Sequence, residues 1–124
     1  MLLESIKDYV QQYNEFAERV NYSTIQYVCA DGLPRDFPYD SLSMGYFFQS
    51  RLEGIPKKEQ KHFNDAVRIW YTLEDNEIDI SINNIRVRRP RKHRVIMEVS
   101  PEGTKHYRYQ YSCETNEWKL IQEE

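Results

Sequence analysis

The chain has 124 residues, of which 40% are hydrophobic and 30% are charged, and its formal net charge is −3. These values are typical of a single soluble domain over residues 1–124, and they exclude a generally basic nucleic-acid-binding protein and a disordered chain. Because no secretory leader, no membrane span and no metal-like cysteine spacing is present, we predict a cytoplasmic protein with reduced thiols.

An amphipathic helix is predicted at the start of the chain, over residues 2–20. Apolar residues recur there at steps of three and four, which is the spacing of one helical face. The same stripe predicts that Val10 and Phe16 face the core.

The following segment mixes loop and helix signals. Residues 22–30 suit either a short strand or a second helical stretch, and the proline-rich residues 31–40 predict a loop. Apolar residues at helical spacing then predict a helix over 41–53. Pro56 suits the first turn of a further helix, which we predict over 56–66.

From residue 67 the period changes to two, which predicts an antiparallel β-meander over about 67–122. The apolar register shifts between Ile82 and Ile85, across the pair Asn83-Asn84. Either a hairpin turn or a bulge in one long strand would produce this shift. The predicted fold class is α+β, with N-terminal helices packed on one face of a curved antiparallel sheet whose strands are neighbours in sequence order.

The last part of the meander reads as an aromatic-rich strand, a turn and a strand opened by tryptophan, YRYQYSCETNEWKLIQ. With the preceding strands, over residues 67–122, it resembles the second half of the NTF2-like (nuclear-transport-factor-2-like) superfamily. The resemblance implies a sheet curled into a cone, with a pocket or a dimerising sheet. The family includes isomerases, dehydratases and binding domains, so the resemblance does not decide the function.

A strongly basic stretch, RVRRPRKHR, occupies residues 86–94 of this otherwise acidic chain. The candidate binding residues are Arg86, Arg88, Arg89, Arg91, Lys92, Arg94, Tyr107 and Tyr109. Three roles suit them: a surface for an acidic protein partner, a surface for RNA with arginines on phosphates and tyrosines stacked on bases, or a charged rim that prevents edge-to-edge aggregation.

No catalytic, metal or cofactor motif is present in the sequence. The three histidines have no metalloprotease spacing, the four glycines form no phosphate loop, and the aspartates of residues 31–40 lack the alternation of a calcium loop. We therefore predict a non-enzymatic binding domain with no cofactor, no metal and no membrane partner. Its expected partner is an acidic protein, with RNA or a homodimer through the sheet also open. The alternative is an NTF2-like enzyme or small-molecule-binding protein with a pocket lined by Tyr and Trp.

Overall fold

A computed structural model describes residues 1–50, 52, 54–99 and 103–124. Within these residues an α-helix packs on a seven-stranded sheet, which is an α+β arrangement. The elements are α1 (Leu2–Arg19), β1 (Tyr27–Cys29), β2 (Gly45–Phe47), β3 (His62–Glu74), β4 (Glu77–Arg91), β5 (Arg94–Val99), β6 (Lys105–Ser112) and β7 (Glu117–Glu123).

The first predicted helix is confirmed, but the two later ones are wrong. The range 41–53 contains the end of a 3-10 turn and then β2, and its residues 51 and 53 lie outside the described residues. The range 56–66 contains turns followed by the start of β3. Fewer helices therefore cover the sheet than the sequence predicts.

Three consecutive rings explain why the second helix was predicted wrongly. Phe47 is buried, whereas its neighbours Tyr46 and Phe48 are each 44% exposed. This is the alternation of a strand, and aromatic residues fit a pleated surface well. The helical spacing of apolar residues in this segment is coincidental.

The sheet is mixed, with strand order β2-β1-β3-β4-β6-β7. β1 pairs in parallel with β2 and β3, and the strands from β3 to β7 pair antiparallel. The predicted meander is thus confirmed as antiparallel in its described part, while residues 100–102 lie outside it. The predicted sequence order is wrong at one point, because β5 and β6 both pair with β4, one along each half.

β4 is one continuous strand, and neither a hairpin nor a bulge interrupts it at Asn83. Its register with β3 runs without a break from Glu77 to Ile85. Since side chains alternate along a strand, Ile82 lies on one face of the sheet and Ile85 on the other. The apolar register shifts because β4 changes its buried face at mid-length.

Two hydrophobic cores account for this change of face. The helix-side core contains Ile6, Tyr9, Ile25, Val28, Phe37, Val67, Ile69, Ile80, Ile82 and Tyr107. The loop-side core contains Cys29, Phe47, Leu52, Ile55, Phe63, Ala66, Ile85 and Val87. The predicted packing of helices on one sheet face therefore holds for α1 alone, and Leu52 with residues 54–61 covers the other face.

The predicted core positions of α1 are only partly correct. Val10 packs against the helix-side core, but Phe16 is 45% exposed and contacts the rings of Tyr13 and Tyr22. In this part of the helix Ala17 is the fully buried residue. The apolar stripe is wider than the face that the sheet covers.

Candidate functional site

The most highly charged part of the basic stretch is the end of the β4–β5 hairpin. Arg91 and Arg94 are cross-strand partners there, and Lys92 and His93 form the turn between them. All four residues are exposed. Like charges that face each other destabilise a ladder, and such a local conflict is typical of a functional surface.

The loop before β3 lies against this hairpin. The backbone N–H of Arg89 donates to the carbonyl oxygen of Lys61 at 3.0 Å. The Gln60 side-chain amide donates to the carbonyl oxygens of Leu52 (2.9 Å) and Ile55 (2.8 Å), which holds the loop in shape. These bonds bring the lysine-containing segment 57–61 close to the cations of the hairpin.

Between loop and hairpin lies a groove of about 620 Å³ with an aliphatic floor and a charged rim. The floor consists of Leu52, Ile55, Pro56 and Val95, and the rim includes Lys57, Arg89 and Lys92. We call Lys57, Arg89, Arg91, Lys92 and Arg94 together the cationic tip. The groove suits an apolar side chain with negative charges on either side.

Two of the predicted arginines belong to a different surface. Arg86 lies beside the C-terminal part of α1, in a groove that also contains Glu98, whereas Arg89 lines the groove between loop and hairpin. The Nε and Nη2 atoms of Arg88 donate to Oε1 of Glu98 at 2.9 and 2.6 Å. The six predicted cations therefore do not form one continuous site.

The two predicted tyrosines lie far from the cationic tip. Tyr107 pairs with Ile80, nine residues before Arg89 on β4, which corresponds to about 30 Å. Its ring is only 1% exposed, and Tyr109 is half-buried, with its hydroxyl 2.9 Å from Oγ of Ser5. The structure thus places both rings under α1 and does not bring them together with the arginines.

Tyr107 takes part in a polar network that joins α1 to the sheet. Its hydroxyl donates to Oδ2 of Asp8 at 2.6 Å, and Lys105 Nζ lies 3.5 Å from the same oxygen and 2.5 Å from Oε1 of Glu123. Burial raises the pKa of Tyr107, and the bond to Asp8 raises it further. Burial also acts to raise the pKa of Asp8, but the Tyr107 hydrogen bond and the Lys105 charge outweigh it, so that pKa is lowered.

The described residues offer little for catalysis or metal binding. They contain no group of three or more His, Cys, Asp or Glu side chains placed to hold a metal ion. Both cysteines are free, and burial raises the pKa of the Cys29 thiol to about 12, so it stays protonated at neutral pH. Burial also raises the pKa of Asp65, which lies in the irregular part of β3.

A second groove, of about 600 Å³, lies between the C-terminal part of α1 and strands β4 and β5. We call it the helix-side groove; its lining includes Tyr13, Tyr22, Asn64, Asn84, Arg86 and Glu98. The sequence predicts a pocket lined by Tyr and Trp, whereas this groove is lined by two tyrosines and by neither tryptophan.

Lys57 is the main residue of the candidate site that the sequence did not indicate. It lies in the range predicted as a helix, where a lysine is a normal surface residue.

Among the described residues, no helix is both long enough and apolar enough to cross a membrane. Comparison of the chain with protein-family models, with curated proteins and with solved structures finds no match.

Proposed function

We propose that this protein is a non-enzymatic binding domain whose cationic tip holds an acidic segment of a partner protein. The observation that carries the proposal is the facing pair Arg91 and Arg94 beside Arg89 and Lys92. Among the described residues, the salt bridges include none to a residue of the cationic tip. Guanidinium groups that make no such salt bridge are suited to bidentate binding of carboxylates.

The groove favours an acidic peptide over RNA. Single-stranded RNA is held by stacking its bases on aromatic rings as well as by phosphate contacts. The groove beside the tip is lined by aliphatic residues such as Leu52 and Val95, and the candidate tyrosines lie elsewhere. An aliphatic floor inside a cationic rim matches a segment that combines an apolar residue with Asp or Glu.

The experiment compares two variants that remove four positive charges each. One replaces Arg89, Arg91, Lys92 and Arg94 with Ser, and the control replaces the exposed residues Lys7, Arg19, Arg35 and Lys119 with Ser. Fluorescence anisotropy then measures binding of a labelled Glu-rich peptide with one central Leu, and of a 12-nucleotide single-stranded RNA, over a range of NaCl concentrations. The proposal expects peptide binding that salt weakens, that the tip variant loses and that the control variant keeps.

Three results would contradict the proposal. If RNA binds and the peptide does not, the partner is a nucleic acid. If both variants lose the peptide equally, only net charge matters. If neither variant changes the affinity, the cationic tip is the charged rim that prevents aggregation.

A small-molecule-binding role is the second candidate, and the helix-side groove favours it. Its volume of about 600 Å³ falls within the usual range for ligand sites, and it combines tyrosine rings with amide and charged groups. This alternative would fit the NTF2-like resemblance. It predicts that a compound screen finds a ligand that raises the melting temperature of the parent protein. The gain should be lost in Arg86→Ala and kept in the cationic-tip variant.

We also propose a cytoplasmic location. Both cysteines are free, and Cys113 is exposed, which suits a reducing compartment. A disulfide formed by Cys113 in protein isolated without reductant would argue against this location.

A further inference from the structure

The helix-side groove combines aromatic rings from the end of α1 with polar groups from the sheet. Tyr13 lies on α1 and Tyr22 follows the helix, and both line the groove. Each of the two contacts the ring of Phe16, with ring centroids 6.4 and 6.1 Å apart. Because Tyr22 is 63% exposed, its ring is accessible to a ligand in the groove.

The polar side chains of this groove are largely unengaged. Among the described residues, the side-chain hydrogen bonds and salt bridges include none to Tyr13, Asn21, Tyr22, Ser23, Asn64, Asn84 or Arg86. By contrast, the hydroxyls of Tyr9, Tyr107 and Tyr109 under α1 each have a partner within the protein. Polar groups that converge on a concave surface in this way are free to bind a ligand.

The lining is balanced in charge and offers donors and acceptors side by side. Its one cation, Arg86, and its one carboxylate, Glu98, are cross-strand partners. Arg88 donates only to Oε1 of Glu98, and no other described residue bonds to Oε2. Each asparagine amide adds both a donor and an acceptor. Burial raises the pKa of Tyr13 and the nearby Tyr22 raises it further, so the Tyr13 hydroxyl keeps its proton at neutral pH and can donate it in a hydrogen bond.

We propose that the helix-side groove binds a neutral saccharide, an inference that rests on the small-molecule role described above and specifies its ligand. Every sugar hydroxyl both donates and accepts, which matches the amides, the free carboxylate oxygen and the guanidinium of this lining. The C–H groups on one face of a sugar ring can pack on the negative face of an aromatic ring, and Tyr22 presents such a face.

The same lining argues against two other classes of ligand. A phosphorylated ligand needs an excess of positive charge, whereas Glu98 cancels the charge of Arg86. An apolar ligand needs a mainly hydrophobic lining, whereas the aliphatic members here are Ile85, which is only 1% exposed, and Val99. An uncharged ligand rich in hydroxyl groups fits the observed set best.

NMR titration of the labelled protein with maltotriose and cellotriose tests the proposal, with adenosine monophosphate and octanoate as comparison ligands. We expect at least one trisaccharide to shift the amides of residues 21–23, 84–86 and 98–99 saturably. Its affinity should not change with NaCl concentration, because the ligand carries no charge. Tyr22→Ala should weaken binding roughly fivefold, through loss of the ring contact. Arg86→Ala should weaken it roughly tenfold, through loss of a charged donor.

Tyr46→Ala is the matched control, because it removes an exposed tyrosine ring from β2, outside the groove, and should leave sugar binding unchanged. The variant of the cationic tip should also bind the sugar as its parent does, so this result is independent of the acidic-peptide proposal. If adenosine monophosphate or octanoate shifts these amides and neither trisaccharide does, the saccharide inference is wrong while the small-molecule role stands. A lack of shifts with all four compounds, or a Tyr22→Ala variant that binds the sugar as tightly as its parent, would also overturn the inference.

Discussion

The two halves of β4 differ in the face that they bury and in the charge at their ends. The first half buries Ile80 and Ile82 under α1 and begins beside an acidic turn. The second half buries Ile85 and Val87 under the loop that precedes β3, and it ends in the cationic tip. One regular strand can therefore support two surfaces of opposite charge, because different segments cover its two faces. What covers each half decides which side chains remain available for binding.

The largest expected effect on the free energy of unfolding tests whether each half of β4 is buried on one face. Ile82→Ala and Ile85→Ala should each lower the free energy of unfolding by about 2–5 kcal/mol, because both side chains are almost fully buried. Phe16→Ala should lower it by less than about 1 kcal/mol, since that ring is nearly half exposed. Urea unfolding measures all three. An Ile85→Ala loss as small as that of Phe16→Ala would mean that the loop before β3 does not cover the second half of β4.

The first helix and the meander were predictable because their signals are local. A stripe at steps of three and four identified α1, and alternation identified β4 and β6. The change of buried face at Asn83 was not predictable, since a hairpin, a bulge and a change of covering segment give the same apolar pattern. Only the packing of α1 and of the loop distinguishes these three cases.

The candidate site was predictable in composition but not in arrangement. Six cations in nine residues predicted a charged surface, yet Arg86 lines the helix-side groove and Arg89 lines the groove beside the loop. Lys57 joins the site only because residues 54–61 form a loop and not a helix. Tyr107 was assigned to binding because a strand alone does not show which of its faces a helix covers.

The next effect concerns alkaline pH and should arise at the helix-side core. Burial raises the pKa of Tyr9 from 10.0 to about 12, and burial together with the bond to Asp8 raises that of Tyr107. The neutral phenols therefore stabilise the fold fully below pH 10, and this contribution is lost as the pH rises above 10. Each group should reduce stability by about 1.4 kcal/mol per pH unit in that range.

Urea unfolding between pH 9 and 12 measures this loss. Tyr9→Phe should flatten the pH dependence, whereas the variant with four tip cations replaced by Ser should keep the parent slope, because its substitutions lie at the other end of the sheet. If the stability of the Tyr9→Phe variant fell with pH as steeply as that of the parent, the Tyr9 phenol would not be shielded from water.

The smallest expected effect is the stability change on removal of the cationic tip. With Arg89, Arg91, Lys92 and Arg94 replaced by Ser, the free energy of unfolding should change by less than about 1 kcal/mol, because exposed charges contribute little. A small gain is the expected direction, since Arg91 faces Arg94 in the ladder. A loss above about 2 kcal/mol in urea unfolding, or aggregation of this variant, would identify the segment as a structural rim.

The central claim is that the cationic end of the sheet binds an acidic peptide and that the opposite end does not, and NMR shift mapping of the labelled protein tests it most directly. The Glu-rich peptide would be titrated into the sample. We expect it to perturb amides of residues 54–61 and 89–95 and to leave those of residues 73–78 and 109–120 unchanged. If the peptide perturbs residues 73–78 and 109–120, or if it perturbs neither end, the account is wrong.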